Sequence, residues 1–148
     1  MSRRGKQLIP QLNLGKIPSG YVSSIAPVPY AELQDFVEND INYGPQIVSL
    51  PVPPYRHAFL VDVQPDKIMI SDWEIRTLDK KDKNMWKQYD DMMLLLEEKY
   101  KRDIMYYPID KKLHKLAKTH NDTHGGGGCS YYIFSWTKTR EEYSDYQI

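Results

Sequence analysis

Apolar positions between residues 57 and 73 fall into two short β-prone runs. His57-Ala58-Phe59-Leu60-Val61-Asp62-Val63 and Ile68-Met69-Ile70-Ser71-Asp72-Trp73 flank Gln64-Pro65-Asp66-Lys67, a turn signal. The pattern predicts a β-hairpin. A turn centred between Gln64 and Pro65 sets His57 directly opposite Asp72, with Cβ atoms roughly 5 Å apart on one face. A one-residue slip would send them to opposite faces. From Trp86 the period changes: Trp86, Tyr89, Met93, Leu96 and Tyr100 recur at steps of three and four. That spacing predicts an amphipathic helix whose stripe faces the core, with the charged stretch 79–83 as a source of its N-cap. Ile104 to Tyr107, before Pro108, reads as a short strand ended by the proline. Lys111 to Lys118 reads as a helical turn or two, and Thr119 to Gly128 as a polar, glycine-rich break. Cys129 to Tyr143 opens with Ser130-Tyr131-Tyr132-Ile133-Phe134-Ser135-Trp136, apolar nearly all round. This predicts a buried helix, with a strand as the alternative for so aromatic a run.

The first third is different. Eight of the ten prolines lie before residue 56, which argues against long regular elements there. Tyr30 to Glu38 is the exception, a short helix with Leu33, Phe36 and Val37 on one side. Residues 1–24 read as an extended arm carrying Arg3, Arg4, Lys6 and Lys16, and residues 25–148 as a single domain. The 148 residues are one domain's worth, and 41% hydrophobic content suffices for one core. Twenty basic residues balance twenty acidic ones, which excludes a global positive field for coating nucleic acid. No apolar run is long enough to cross a membrane, and the basic N-terminus lacks the apolar core of a secretory signal. With one cysteine and no internal disulfide, the expectation is a soluble intracellular protein.

That cysteine, Cys129, follows four consecutive glycines and opens the last helix. Glycines permit the tight, positive-φ turn that brings backbone N–H groups to an anion. A helix N-terminus stabilises a thiolate, and its free N–H groups can hold an oxyanion. Along the chain a histidine at the start of a strand precedes an acid at the end of its hairpin partner, and both precede a cysteine opening a helix. The distances are 15 residues from His57 to Asp72 and 57 from Asp72 to Cys129.

The blocks Arg56 to Val63, Lys67 to Trp73 and Gly127 to Trp136 together resemble the adenovirus-protease and SUMO-protease class of cysteine peptidases. The resemblance covers roughly residues 55 to 137 and includes the compact versions found in large DNA viruses and virophages. It implies an α+β, adenain-like fold: a small mixed sheet with a central buried helix carrying the nucleophile. It also implies a His57-Asp72-Cys129 triad, no cofactor, and cleavage of viral or ubiquitin-like substrates at Gly-Gly-type sites, in a virion or host cytoplasm. The basic arm would then engage DNA or a peptide activator. Two positions depart from the pattern. Thr123 stands where the family usually has an oxyanion-hole Gln, leaving Asn121 and the Gly128 backbone as candidate donors, and Ala58 stands where a Trp usually follows the His.

Two other readings come from the same residues. His114, His120, His124 and Cys129 are crowded enough to bind zinc, although their steps match no standard template. The other is a non-catalytic viral structural or interaction protein on a degenerate scaffold. Gly125 to Gly128 lacks the Lys-Ser/Thr of a phosphate-binding loop.

Overall fold

The computed structural model describes residues 17, 19–22, 26–52, 55–74 and 86–144. The four basic arm residues and the stretch 79–83 lie outside the described residues.

The hairpin forms the middle of a five-stranded sheet. Strands β1 (Ser19–Tyr21), β2 (Gly44–Val52), β3 (Tyr55–Val63), β4 (Ile68–Ser71) and β5 (Ile104–Tyr106) lie in that spatial order. The pairs β2–β3 and β3–β4 are antiparallel, whereas β1–β2 and β4–β5 are parallel. Four helices complete an α+β architecture: α1 (Tyr30–Asp40), α2 (Lys87–Tyr100), α3 (Lys111–His124) and α4 (Gly128–Ser144). Helices α1 and α2 cover one sheet face, where Leu33, Phe36, Met92 and Leu96 pack on Val48, Leu50, Phe59 and Val61. Helices α3 and α4 cover the other, where Ala117, Tyr132, Ile133 and Trp136 pack on Ile47, Ala58 and Leu60. Successive side chains of a strand point to opposite faces, so β3 must be apolar at nearly every position. That is why residues 58–61 form an unbroken hydrophobic run.

Four expectations need correction. The β3–β4 ladder pairs Val63 with Ile68, and the Gln64 N–H donates to the Lys67 carbonyl at 2.9 Å. Pro65 and Asp66 therefore form the tip, since the fixed φ of proline suits the second position of a turn. The register is two residues off the expected one. Continued one step past β4, it brings Asp72 level with Phe59, diagonal to His57 on the same face. Next, β2 spans nine residues despite Pro45 and Pro51. Among the described residues β1 pairs with Ile47, Val48 and Ser49, the stretch between the two prolines, so neither proline belongs to that ladder. Strand β1 and the buried Val22 belong to the sheet and core.

The last two concern helices. Residues 119–124 continue α3, so the break shrinks to Gly125–Gly127. Asp110 starts this helix by accepting the Leu113 N–H at 3.0 Å, and Gly125 ends it in the left-handed conformation (φ 72°). Thr119 and Thr123 are accommodated by donating back to the carbonyls of Lys115 and Thr119. Helix α4 is a helix, but it is neither central nor buried all round: it flanks the sheet, and Phe134 is 49% exposed. No helix of the described residues is long and apolar enough to cross a membrane.

Asp110→Ala removes the side-chain cap of α3 and should destabilise the fold by about 1 kcal/mol in chemical denaturation. Asp66→Ala at the exposed turn tip should leave the midpoint unchanged, its surface pair with Lys67 being screened by water.

Candidate active site

Strand β4 ends at Ser71, opposite Leu60, so the first residues of β3 have no β4 partner. The start of α4 fills that gap. The Ala58 N–H donates to Cys129 Sγ at 3.4 Å, and Sγ lies 3.9 Å from the Arg56 carbonyl. The close approach depends on Gly128. A Cβ there would lie 2.9 Å from the Trp73 ring and 2.9 Å from Asn121 Cβ. The three preceding glycines all have positive φ, as the reversal from α3 into α4 requires.

His57 projects from β3 toward the α1–α2 side. Its Nε2 donates to both Asp72 oxygens, at 2.8 and 2.7 Å. Cys129 is the second neighbour that favours its charged form, and with Nε2 occupied by Asp72, Nδ1 is the nitrogen left to serve the sulfur. Trp86 meets the imidazole edge-on at 4.9 Å, and Phe59 stacks on it at 5.7 Å. Asp72 is 3% exposed and accepts two further bonds, from the Glu74 N–H at 3.1 Å and the Tyr89 hydroxyl at 3.2 Å.

This surrounding sets the protonation states. Burial disfavours the His57 imidazolium, but the charge and hydrogen bonds of Asp72, aided by Cys129, outweigh it and push the pKa up to about 10. Burial likewise pushes the Cys129 thiol up. The hydrogen bond and charge of His57, with the Ala58 N–H and Ser130, outweigh that and hold the thiol below its ordinary value. Both shifts favour a thiolate–imidazolium pair. The positive end of α4 acts in the same sense.

Cys129 and His57 open onto a cleft of about 410 Å³, walled on one side by Gly125–Gly128 and Asn121 and on the other by Val52, Tyr55 and Trp86. One sequence expectation fails here. The Gly128 N–H donates to Asn121 Oδ1 at 3.1 Å, so it is committed and does not point at a ligand. The same bond fixes the Asn121 amide, leaving its NH₂ group as the half able to donate. The Cys129 N–H, in the first turn of α4, has no intrahelical acceptor.

Asp72 and His57 are thus brought together as expected, by a different register. The supporting partners were not foreseen. Tyr89 and Trp86 belong to the helical stripe read as core, and their aromatic character hid a polar role. Glu74 follows Asp72 by two, the spacing of an Asx turn, which was a legible signal. His114 packs on Trp73, whereas His120 stacks on His124 and Tyr131. Among the described residues no three His, Cys, Asp or Glu side chains group as a metal site, so the zinc reading has no geometric support. No family model, curated protein or solved structure matches this chain.

The pH dependence of Cys129 alkylation by iodoacetamide tests these electrostatics. The thiolate is the reactive form, so a lowered pKa moves the midpoint below the ordinary thiol value of 9.0. His57→Ala removes the largest lowering influence and should shift the midpoint upward. Equal midpoints in the two proteins would show that His57 does not control the thiol.

Proposed function

We propose that the chain is a cysteine endopeptidase of the adenovirus-protease and SUMO-protease type. The observation that carries this reading is the convergence of Cys129 and His57 on one cleft, with Asp72 bonded to His57 from the buried side, the thiol pKa lowered and the imidazole pKa raised. An inert buried cysteine needs none of these partners.

In this reading the Cys129 thiolate attacks the scissile carbonyl carbon, forming a C–S bond and a tetrahedral oxyanion. The Cys129 N–H and the Asn121 NH₂ donate to that oxyanion. The intermediate collapses as the C–N bond breaks and the His57 imidazolium delivers its Nδ1 proton to the leaving amine. Neutral His57 then takes a proton from water, which attacks the thioester and releases the acid, restoring thiolate and imidazolium. Asp72 holds the ring orientation throughout and stabilises the positive form whenever the ring is protonated, the role of the acid in other triads. The Asn121 amide takes the place of the upstream Gln that such peptidases usually use. The glycine wall suits small residues such as Gly-Gly at the scissile bond, the site class that the resemblance implies.

Turnover of a Gly-Gly-containing reporter peptide ranks these roles. Cys129→Ala and His57→Ala should each abolish cleavage, because nucleophile and base act as a unit. Asp72→Asn should retain measurable activity, and Asn121→Ala should lose roughly 10²-fold in kcat. Full activity in Cys129→Ala would end the peptidase reading; full activity in Asn121→Ala would remove only that residue from the oxyanion site.

A further inference from the structure

We infer that Tyr89 is a positioning residue for the site, its hydroxyl fixing the Asp72 carboxylate that in turn orients His57. The inference deepens the peptidase reading and rests on it for its kinetic consequence. Four observations support it. The Tyr89 hydroxyl donates to Asp72 Oδ2, the same oxygen that takes the 2.7 Å bond from His57. A second phenol, Tyr106 on β5, lies 3.4 Å from the Tyr89 oxygen, an acceptor still available once the Tyr89 proton points at Asp72. The Tyr89 ring is 1% exposed and wedged edge-on against Phe59, Trp86 and His57, at 4.9, 5.4 and 5.9 Å, so packing fixes the hydroxyl direction. Burial, followed by the Asp72 charge and Tyr106, holds the phenol well above its ordinary pKa, so it remains a donor across the working range.

The arrangement divides the restraint of Asp72 between two directions. The Glu74 N–H holds Oδ1 from the loop after β4, and Tyr89 holds Oδ2 from α2. A carboxylate held at one oxygen alone can rotate about χ2 and carry the imidazole with it. A positioning role therefore acts on kcat, where His57 must be aligned with sulfur and leaving group, and not on KM.

Tyr89→Phe removes one oxygen and keeps the ring contacts. With the reporter peptide, kcat should fall about tenfold at unchanged KM, the scale expected for one hydrogen bond to a charged group. A second readout needs no turnover: the downfield ¹H NMR signal of the His57 Nε2 proton, assigned by its absence in His57→Ala. Removing a competing donor leaves more of the carboxylate charge to His57, so this signal should move further downfield. Tyr106→Phe, which leaves the Tyr89–Asp72 bond in place, should give a smaller shift in the same direction and serves alone if Tyr89→Phe does not fold. An unmoved signal in both variants would overturn the inference, as would a Tyr89→Phe enzyme with wild-type kcat. Wild-type protein that cleaves no peptide, with the NMR shift present in the variants, would overturn the peptidase reading while supporting the placement of Tyr89.

Discussion

The early end of β4 is the constraint on which the site depends. An antiparallel partner running beyond Ser71 would occupy the open flank of β3 beside Ala58 with another backbone. Because it stops, the Ala58 N–H is satisfied by sulfur, and a helix from the α3–α4 layer meets a histidine packed in the α1–α2 layer. The sheet normally keeps those layers apart. Only at its frayed end can side chains from both sides touch, which places Cys129 and His57 at a cleft and not inside either core. Glycine at 128 is the second half of the constraint, since any side chain there would push α4 away from Trp73 and Asn121.

Electrostatic cost explains the rest of the surroundings. His57 and Asp72 are 5% and 3% exposed. An unpaired charge in such a place costs several kcal/mol, so each must be matched and its hydrogen-bonding capacity used. Asp72 meets this with three donors from three elements: the ring of β3, a loop N–H after β4, and a phenol from α2. The aromatic groups around His57 exclude water, which strengthens its attraction to Asp72. Without Asp72, burial would leave the imidazole neutral. Farther away, Arg56 ties the start of β3 to its neighbours by donating to the carbonyls of Val22 and Ser49. This keeps the strand that carries His57 from moving as a loose end.

Much of this was legible in the order of residue types. Two short β-prone runs between residues 57 and 73 and period three-to-four after Trp86 located β3, β4 and α2, and the glycine run announced the turn before Cys129. The parity of the hairpin was readable, but its register depended on which turn position Pro65 takes, a local choice that alternation alone does not settle. Strand β2 was hidden because its prolines contradict strand propensity, and both lie outside the described β1–β2 ladder. The polar end of α3 resembled a loop because Thr, Asn and Asp are poor helix formers, and the tertiary position of that helix overrides them. Asn121 was singled out from its amide alone, whereas the bond that orients it runs to a backbone N–H seven residues on. Tyr89 lay in plain view within an apolar stripe, and nothing in spacing distinguishes a phenol that packs from one that also donates.

The central claim is that Asp72 and Cys129 together hold His57 as an imidazolium at neutral pH. A ¹⁵N NMR titration of the histidine side chains tests it most directly, with the His57 signals assigned through His57→Ala. The expected result is that both ring nitrogens remain in the protonated range at pH 8 and titrate together toward about 10. A neutral His57 ring at pH 8, titrating near the ordinary histidine value of 6.5, would contradict the account.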